Sequence, residues 1–226
     1  MLQTFRKCDP FGLSRFYTTS TCMLARLVGI LEQVGGGLLL AVAAPILAPA
    51  AIVIAVVSGR SPLIAHLRVG HRGRALWLLK LRTMWDSAPA LPSERRWVER
   101  IVAEPSVHLK NRDDCRVSNA FAAFCRRHSI DELPQLVHVV RGEMSLVGPR
   151  PLTATELDFH YGWRIPQLLA VKPGLTGLWQ TQGRSALDWP TRVSLDIHHL
   201  RSHSAKAYFT ILYRTFPILI SGRGAW

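Results

Sequence analysis

An α+β fold, mainly α and held as a monotopic membrane protein, is what three features of this sequence predict. Residues 33–59 run for 27 positions without a charged side chain and are interrupted by Pro45 and Pro49. Residues 63–82 read as two short strands around Gly70-His71-Arg72-Gly73, a hairpin signal with glycine in the turn. The remainder divides into helical stretches punctuated by Gly and Pro. A length of 226 residues suits one compact domain with a membrane element.

Taken in order, residues 1–31 are a mixed lead-in containing Arg6, Lys7, Arg15 and Arg26. The uncharged run would reach roughly 40 Å as a straight helix, enough to cross a bilayer. Each proline removes a backbone donor and crowds the preceding turn, so a bend is expected. Cations also flank the run on both sides, with Arg60, Arg68, Arg72, Arg74, Lys80 and Arg82 following it. A spanning segment usually shows asymmetric flanks. Symmetry fits a re-entrant, hairpin-like helix that enters and leaves by the cytoplasmic face, with Pro45 near the turn. A signal peptide is the competing reading, since Ala41-Val42-Ala43 and Ala48-Pro49-Ala50 resemble cleavage sites, but the lead-in is long for an n-region. The chain thus divides into a lead-in (1–31), a membrane helix (32–59) and a cytoplasmic part (60–226).

Within that last part the hairpin would carry Arg68 and Lys80 toward one site. Residues 86–110 are polar and proline-punctuated, predicting a loop and a helix that shape substrate access. Residues 119–127, 157–170 and 188–201 read as helices, the last two joined by a Gly/Pro-rich loop over 173–184. Residues 207–220 are apolar around Arg214 and Pro217 and too short to span. They predict an amphipathic helix lying on the bilayer, with packing against the core as the alternative.

The 28 Lys and Arg against 15 Asp and Glu leave a net charge of +13, so the surface seeks nucleic acid, acidic lipid or phosphorylated substrates. Seven tryptophans would suit single-stranded nucleic acid. No zinc-finger, helix-turn-helix or RNP-type motif accompanies them, and such a module has no use for a membrane-length apolar run. Cysteines at 8, 22, 115 and 125 form no Cys-x-x-Cys pair, which fits a reducing cytosol. His199 and His203 have i, i+4 spacing, but no third soft ligand accompanies them.

The chemistry concentrates at Asp131-Glu132, two adjacent acids between Arg126-Arg127 and Arg150. Carboxylates among arginines suit reactions of phosphate. Pro134 is tolerated only in a first helical turn, so the helix through residues 136–140 should begin near Asp131, with both acids at its positive end. The alternative is structural: Ser129 and Glu132 have capping-box spacing, and Asp131 is a good N-cap residue.

Together with Lys80-Leu81-Arg82-Thr83-Met84 and the run from Lys172-Pro173-Gly174 to Gly183-Arg184, the acid pair makes the chain resemble a family from about residue 32 onward. This is the bacterial sugar transferases, the small monotopic phosphoglycosyl transferases that move a sugar-1-phosphate onto a polyprenyl phosphate. Gly177-Leu178-Trp179-Gln180, Thr191-Arg192-Val193 and Gly222-Arg223-Gly224 are most similar to the galactosyl- and glucosyl-1-phosphate transferases that initiate exopolysaccharide.

The resemblance implies a re-entrant membrane helix and a two-step reaction. Asp131 would be the nucleophile, Glu132 would hold Mg²⁺ or orient the pair, and Asp196 would assist the metal. Lys80, Arg82, Arg116, Arg126, Arg150 and Arg184 would contact phosphate or uridine, with a surface salt bridge as the alternative for Arg116; glycines 174, 177 and 183 fit either backbone approach to the ligand or plain turn geometry. Partners would be a UDP-sugar, undecaprenyl phosphate and inner-membrane lipid, with no nucleic acid, and the catalytic part would face the cytoplasm. Neither the sugar nor the oligomeric state, a homo-oligomer included, is encoded by a motif. A nucleic-acid-binding protein and an inactive membrane scaffold of the same fold are the rival readings. Several positions depart from the family pattern: Gly29 for Arg, Glu32 for Asp, Ala44 for Ser, His66 for Gln, His138 for Asn, Glu143 for Asp, Trp179 for Ala and Gln182 for Asn.

Overall fold

The computed structural model describes residues 19–85, 97–102, 119–202 and 204–222. Helix α1 (Thr19–Ser58) takes in the whole uncharged run and part of the expected lead-in. It continues through Pro45 and Pro49 as one helix rather than dividing into two at the expected turn. It ends where Gly59, at φ +65, adopts the left-handed conformation that closes helices. Most of its apolar side chains point outward: Leu31, Val42 and Val56 are 70–77% exposed. Among the described residues it is the one helix long and apolar enough to cross a membrane.

The predicted hairpin is present as β1 (Leu63–Val69) and β2 (Ala75–Leu81), antiparallel from Leu63 opposite Leu81 to Val69 opposite Ala75. A 3-10 turn, His71–Gly73, joins them. On the other side of β1 lies β3 (Val98–Ile101), pairing parallel. The loop and helix expected over 86–110 therefore contain a strand, and residues 86–96 and 103–110 lie outside the described structure. Glu99 and Ile101 alternate with exposed Val98, a pattern of only four residues that gives little sequence signal.

The next elements follow the prediction closely at first. α2 (Ala120–Arg127) is capped by the Asn119 side chain, which accepts from Ala122 N–H. A 3-10 segment, Ile130–Gln135, runs directly into α3 (Leu136–Val140). β4 (Ser145–Val147) pairs parallel with β5 (Gly174–Thr176). The single helix expected over 157–170 is two, α4 (Ala154–His160) and α5 (Ile165–Leu169). α4 starts early because Thr153 and Glu156 form a capping box, and Gly162 at φ +49 followed by Pro166 breaks the run. The expected 173–184 loop holds β5 and α6 (Leu178–Gln182). α7 (Trp189–Arg201) and α8 (Ala205–Ser221) are where the sequence placed helices.

Two apolar groups organise these elements. Leu157, Tyr161, Ile165, Leu168, Val193 and Ile197 pack α4, α5 and α7 together. Ala43 of α1 meets Leu76, Leu78, Leu136, Val139, Met144 and Leu146 from β2, α3 and β4, and further along α1 Ala50 and Ile54 pack on Leu81. Helix α1 thus shares a core with the rest of the molecule. Gly36 makes this approach close, since a Cβ there would lie 2.8 Å from Val139 Cγ1.

Candidate active site

Asp131 and Glu132 occupy the first turn of the Ile130–Gln135 segment, as Pro134 requires. Ser129, just before it, has φ +56, an uncommon conformation for a residue with a side chain. Its hydroxyl makes no capping bond, so the capping-box reading is not realised. Instead Ser129 Oγ accepts from Arg184 Nη2 at 2.6 Å. The 3-10 segment lies along the outer edge of β2, where Lys80 projects. Lys80 Nζ is 2.7 Å from Glu132 Oε1 and 4.0 Å from Asp131 Oδ2. Arg150 Nη2 donates to the same Glu132 oxygen at 3.1 Å.

One acid therefore takes the two short cation contacts, and its neighbour stands beside the same lysine. The negative charge of Glu132 raises the Arg150 pKa, keeping that guanidinium firmly charged. Arg184 is pulled the other way, chiefly by burial, with the charges of Glu132 and Asp131 opposing the shift. The nearby Cys125 is buried, and burial together with Asp131 pushes its thiol up to about 11. It is neutral at ordinary pH and is not a competing nucleophile.

Arg150 is placed by an interlock of three glycines. Gly148 N–H donates to Thr176 O, and Gly174 N–H donates to Pro149 O at 2.8 Å. A Cβ on Gly174 would lie 2.1 Å from Gly148 N, and one on Gly177 would lie 2.6 Å from Gly148 O. Glycines 174 and 177 thus serve backbone-to-backbone approach under the Pro149-Arg150-Pro151 loop, and Gly183 packs on Leu187.

Other predicted residues are placed elsewhere. Arg82 is buried and donates to Ser61 O and Glu99, joining β2 to β3. Arg126 is half-buried at the end of α2, and its side chain bonds to none of the described residues. Arg116 lies outside the described residues, as does His203 of the histidine pair. Asp196 is 1% exposed within the α4–α7 core, where Tyr161 Oη donates to it at 2.6 Å. Burial raises its pKa to about 7, and its Oδ1 has no partner. No three His, Cys, Asp or Glu side chains gather as a metal group among the described residues. Among the described residues, the carboxylates that could take Mg²⁺ at this site are Asp131 and Glu132. That set fits a hard cation that completes its shell with water and phosphate oxygens, without Asp196.

Three supports were not legible as such. Glu32 of α1 accepts from Tyr208 Oη at 2.7 Å, Leu146 N–H at 3.3 Å and Ser145 Oγ, so this acid ties α1 to α8 and β4. His138 Nε2 accepts the Leu79 N–H from the free edge of β2 at 3.2 Å, which places its proton on Nδ1 facing Glu143 at 2.5 Å. The two departures at 138 and 143 are therefore partners. Arg192 lies over the rings of Trp179 and Trp189 at 4.9 and 5.1 Å. The only sequence signal for these pairings was that each position departs from, or belongs to, a motif.

Comparison with known proteins places the chain in a family. The family model described as bacterial sugar transferase matches residues 24–222. The exopolysaccharide production protein ExoY of Sinorhizobium fredii is 37% identical over 174 residues, 74% of each chain. The UDP-glucose:undecaprenyl-phosphate glucose-1-phosphate transferase of Caulobacter vibrioides is 37% identical over 205 residues, 87% of this chain and 71% of its own. The undecaprenyl-phosphate galactose phosphotransferase of Salmonella typhimurium is 36% identical over 169 residues, 74% of this chain and 35% of its own, so this chain matches about a third of that protein. With the family's sequence pattern running from α1 to the end of α8, the chain belongs to the bacterial sugar transferases.

Proposed function

We propose that the protein transfers a hexose-1-phosphate from a UDP-sugar to undecaprenyl phosphate, at the start of exopolysaccharide or related glycan assembly. The observation that carries this reading is the convergence of Lys80 and Arg150 on Glu132, with Asp131 beside it 4.0 Å from Lys80. A phosphoryl centre repels nucleophiles until its charge is countered, and these cations stand where that charge would arrive. The names of the relatives from Caulobacter and Salmonella support both the lipid and the sugar-nucleotide class.

An Asp131 oxygen attacks the sugar-bearing phosphorus, the bond to the bridging oxygen breaks, and UMP leaves with that oxygen. The product is an aspartyl phosphosugar. A phosphate oxygen of the lipid then attacks the same phosphorus, freeing the Asp131 carboxylate and forming the lipid diphosphate sugar. Lys80, Arg150 and Arg184 hold the phosphates through both steps. Mg²⁺, held by Asp131 and Glu132, would supply further charge neutralisation. Exposed α1 and the aromatic outer side chains of α8, with Phe209 and Tyr213 65% and 76% exposed, would seat the protein in the cytoplasmic leaflet of the inner membrane.

The test is UMP release by purified protein with a panel of UDP-sugars, undecaprenyl phosphate and Mg²⁺, comparing wild type with Asp131→Asn. The amide is a far poorer nucleophile at nearly equal size, so the variant should fold, bind membranes and lose turnover by orders of magnitude. Without acceptor, label in the sugar should attach to wild type and leave when lipid is added. Unimpaired turnover in Asp131→Asn ends the covalent reading.

A further inference from the structure

We propose that Arg192 is a positioning residue for Arg184. From between two tryptophans it clamps the Ser185 carbonyl, and so fixes the turn that presents the Arg184 guanidinium to the Asp131 segment. The inference rests on the proposed role of Arg184 as a phosphate ligand.

Arg192 belongs to α7 and is 8% exposed, an unusual setting for a cation that forms no ion pair with a carboxylate among the described residues. Its guanidinium has the two tryptophan rings instead, and Trp189 is stacked in turn on His160, with centroids 3.8 Å apart and planes at 8°. Arginine suits such a site because its flat, weakly hydrated fork stacks on aromatic faces and still points N–H groups in its own plane. Here Nη2 donates to Ser185 O at 3.1 Å.

Ser185 is the middle of a short 3-10 turn, Arg184–Ala186. The turn begins at a strained residue, since Arg184 has φ +50. Such a conformation persists only when its surroundings over-determine it. Gly183, packed on Leu187, holds one end, and the Arg192 clamp holds the centre. The Arg184 side chain then reaches Ser129 Oγ at 2.6 Å, two residues before Asp131. Its other terminal nitrogen, Nη1, is buried without a partner. Three non-glycine residues adopt positive φ among the described residues, and two of them, Ser129 and Arg184, meet through this one bond. A rigid support behind Arg184 is what would keep its guanidinium in place for an arriving anion.

A double-mutant cycle tests this, using UMP release at varied UDP-sugar and fixed lipid, with melting recorded in parallel. Arg184→Ala and Arg192→Gln should each lower kcat/KM for the UDP-sugar by about tenfold or more. Because the second residue acts through the first, the double variant should be no worse than Arg184→Ala within about twofold. Losses that multiply would overturn the proposal, since they assign Arg192 to general packing of α6 on α7. Normal turnover in Arg184→Ala alone would remove the phosphate role of Arg184, and the positioning role with it. If Arg192→Gln fails to fold, Arg192→Lys keeps the buried charge, loses the planar fork and enters the same cycle.

Discussion

Glu132 receives Lys80 and Arg150 through a single oxygen, and this crowding divides the labour of the acid pair. A carboxylate so engaged is a brace, and in the proposed mechanism its neighbour Asp131 attacks. At the same scale Arg126 offers a sharp test, because its side chain bonds to none of the described residues. If it grips phosphate, Arg126→Lys keeps the charge, loses the fork, and should cut UMP release by tenfold or more with membrane association unchanged. Near-normal turnover would return Arg126 to the surface. Asp196 makes a second prediction, set by pH. Its carboxyl ionises near pH 4 in the unfolded chain and near 7 when buried, so in between the folded state holds the extra proton. Its contribution to stability is full below about pH 4 and is lost as the pH rises toward 7. Melting temperature should therefore fall between pH 5 and pH 8, and fall less in Asp196→Asn, whose side chain stays neutral. Equal falls in both proteins would place that slope on other groups.

Between elements, contact distances at glycines decide what each interface tolerates. Gly29 and Gly36 both lie in α1, yet a Cβ on Gly29 meets nothing within 4 Å whereas one on Gly36 presses on Val139. Gly29→Ala should be neutral or stabilising by about 1 kcal/mol through helix propensity. Gly36→Leu should loosen α1 from α3, read as a lower melting temperature in detergent. Gly174→Ala is more severe, because its obstacle is backbone. It should cost about 3 kcal/mol and lower the melting temperature by roughly 6–12 °C. Turnover should fall further than stability, since Arg150 is displaced, and a variant that melts and turns over like wild type would refute the interlock. Elements of this kind differ in how legible they are in the sequence. The β1–β2 hairpin is readable because glycines bracket its turn and its strands are seven residues long. β4 and β5 are three residues each, too short to show alternation, and they exist because three glycines let two backbones meet. The break between α4 and α5 was written in Gly162 and Pro166, but the apolar run on either side obscured it.

Over the whole molecule, the part of the site that sequence reveals is its chemistry, and the part it conceals is the support. Adjacent acids and dispersed arginines are visible in one dimension, and Lys80, Arg150 and Arg184 do come together around Glu132 or Ser129. Arg82 and Asp196 carry the same residue types, but their partners, Glu99 and Tyr161, are 17 and 35 residues away and cannot be paired by spacing. Topology is the remaining global prediction. If the membrane helix enters and leaves by one face, reporters placed before Arg26 and after Trp226 should both be cytoplasmic, although α1 runs unbroken from Thr19 to Ser58. Opposite locations would mean a spanning helix instead. The shared core of α1 also bears on how the chain is made. Gly36 and Ala43 leave the ribosome about a hundred residues before Val139 and Met144, which they pack against. At ordinary elongation rates that is roughly 5–20 seconds. If α1 sits in the membrane as proposed, lipid is its available apolar partner for that interval, and the rest of the chain is assembled against a helix already fixed there. A chain released into water without that capture would have to bury α1 some other way, and aggregation, rather than a soluble enzyme, is the outcome such synthesis favours.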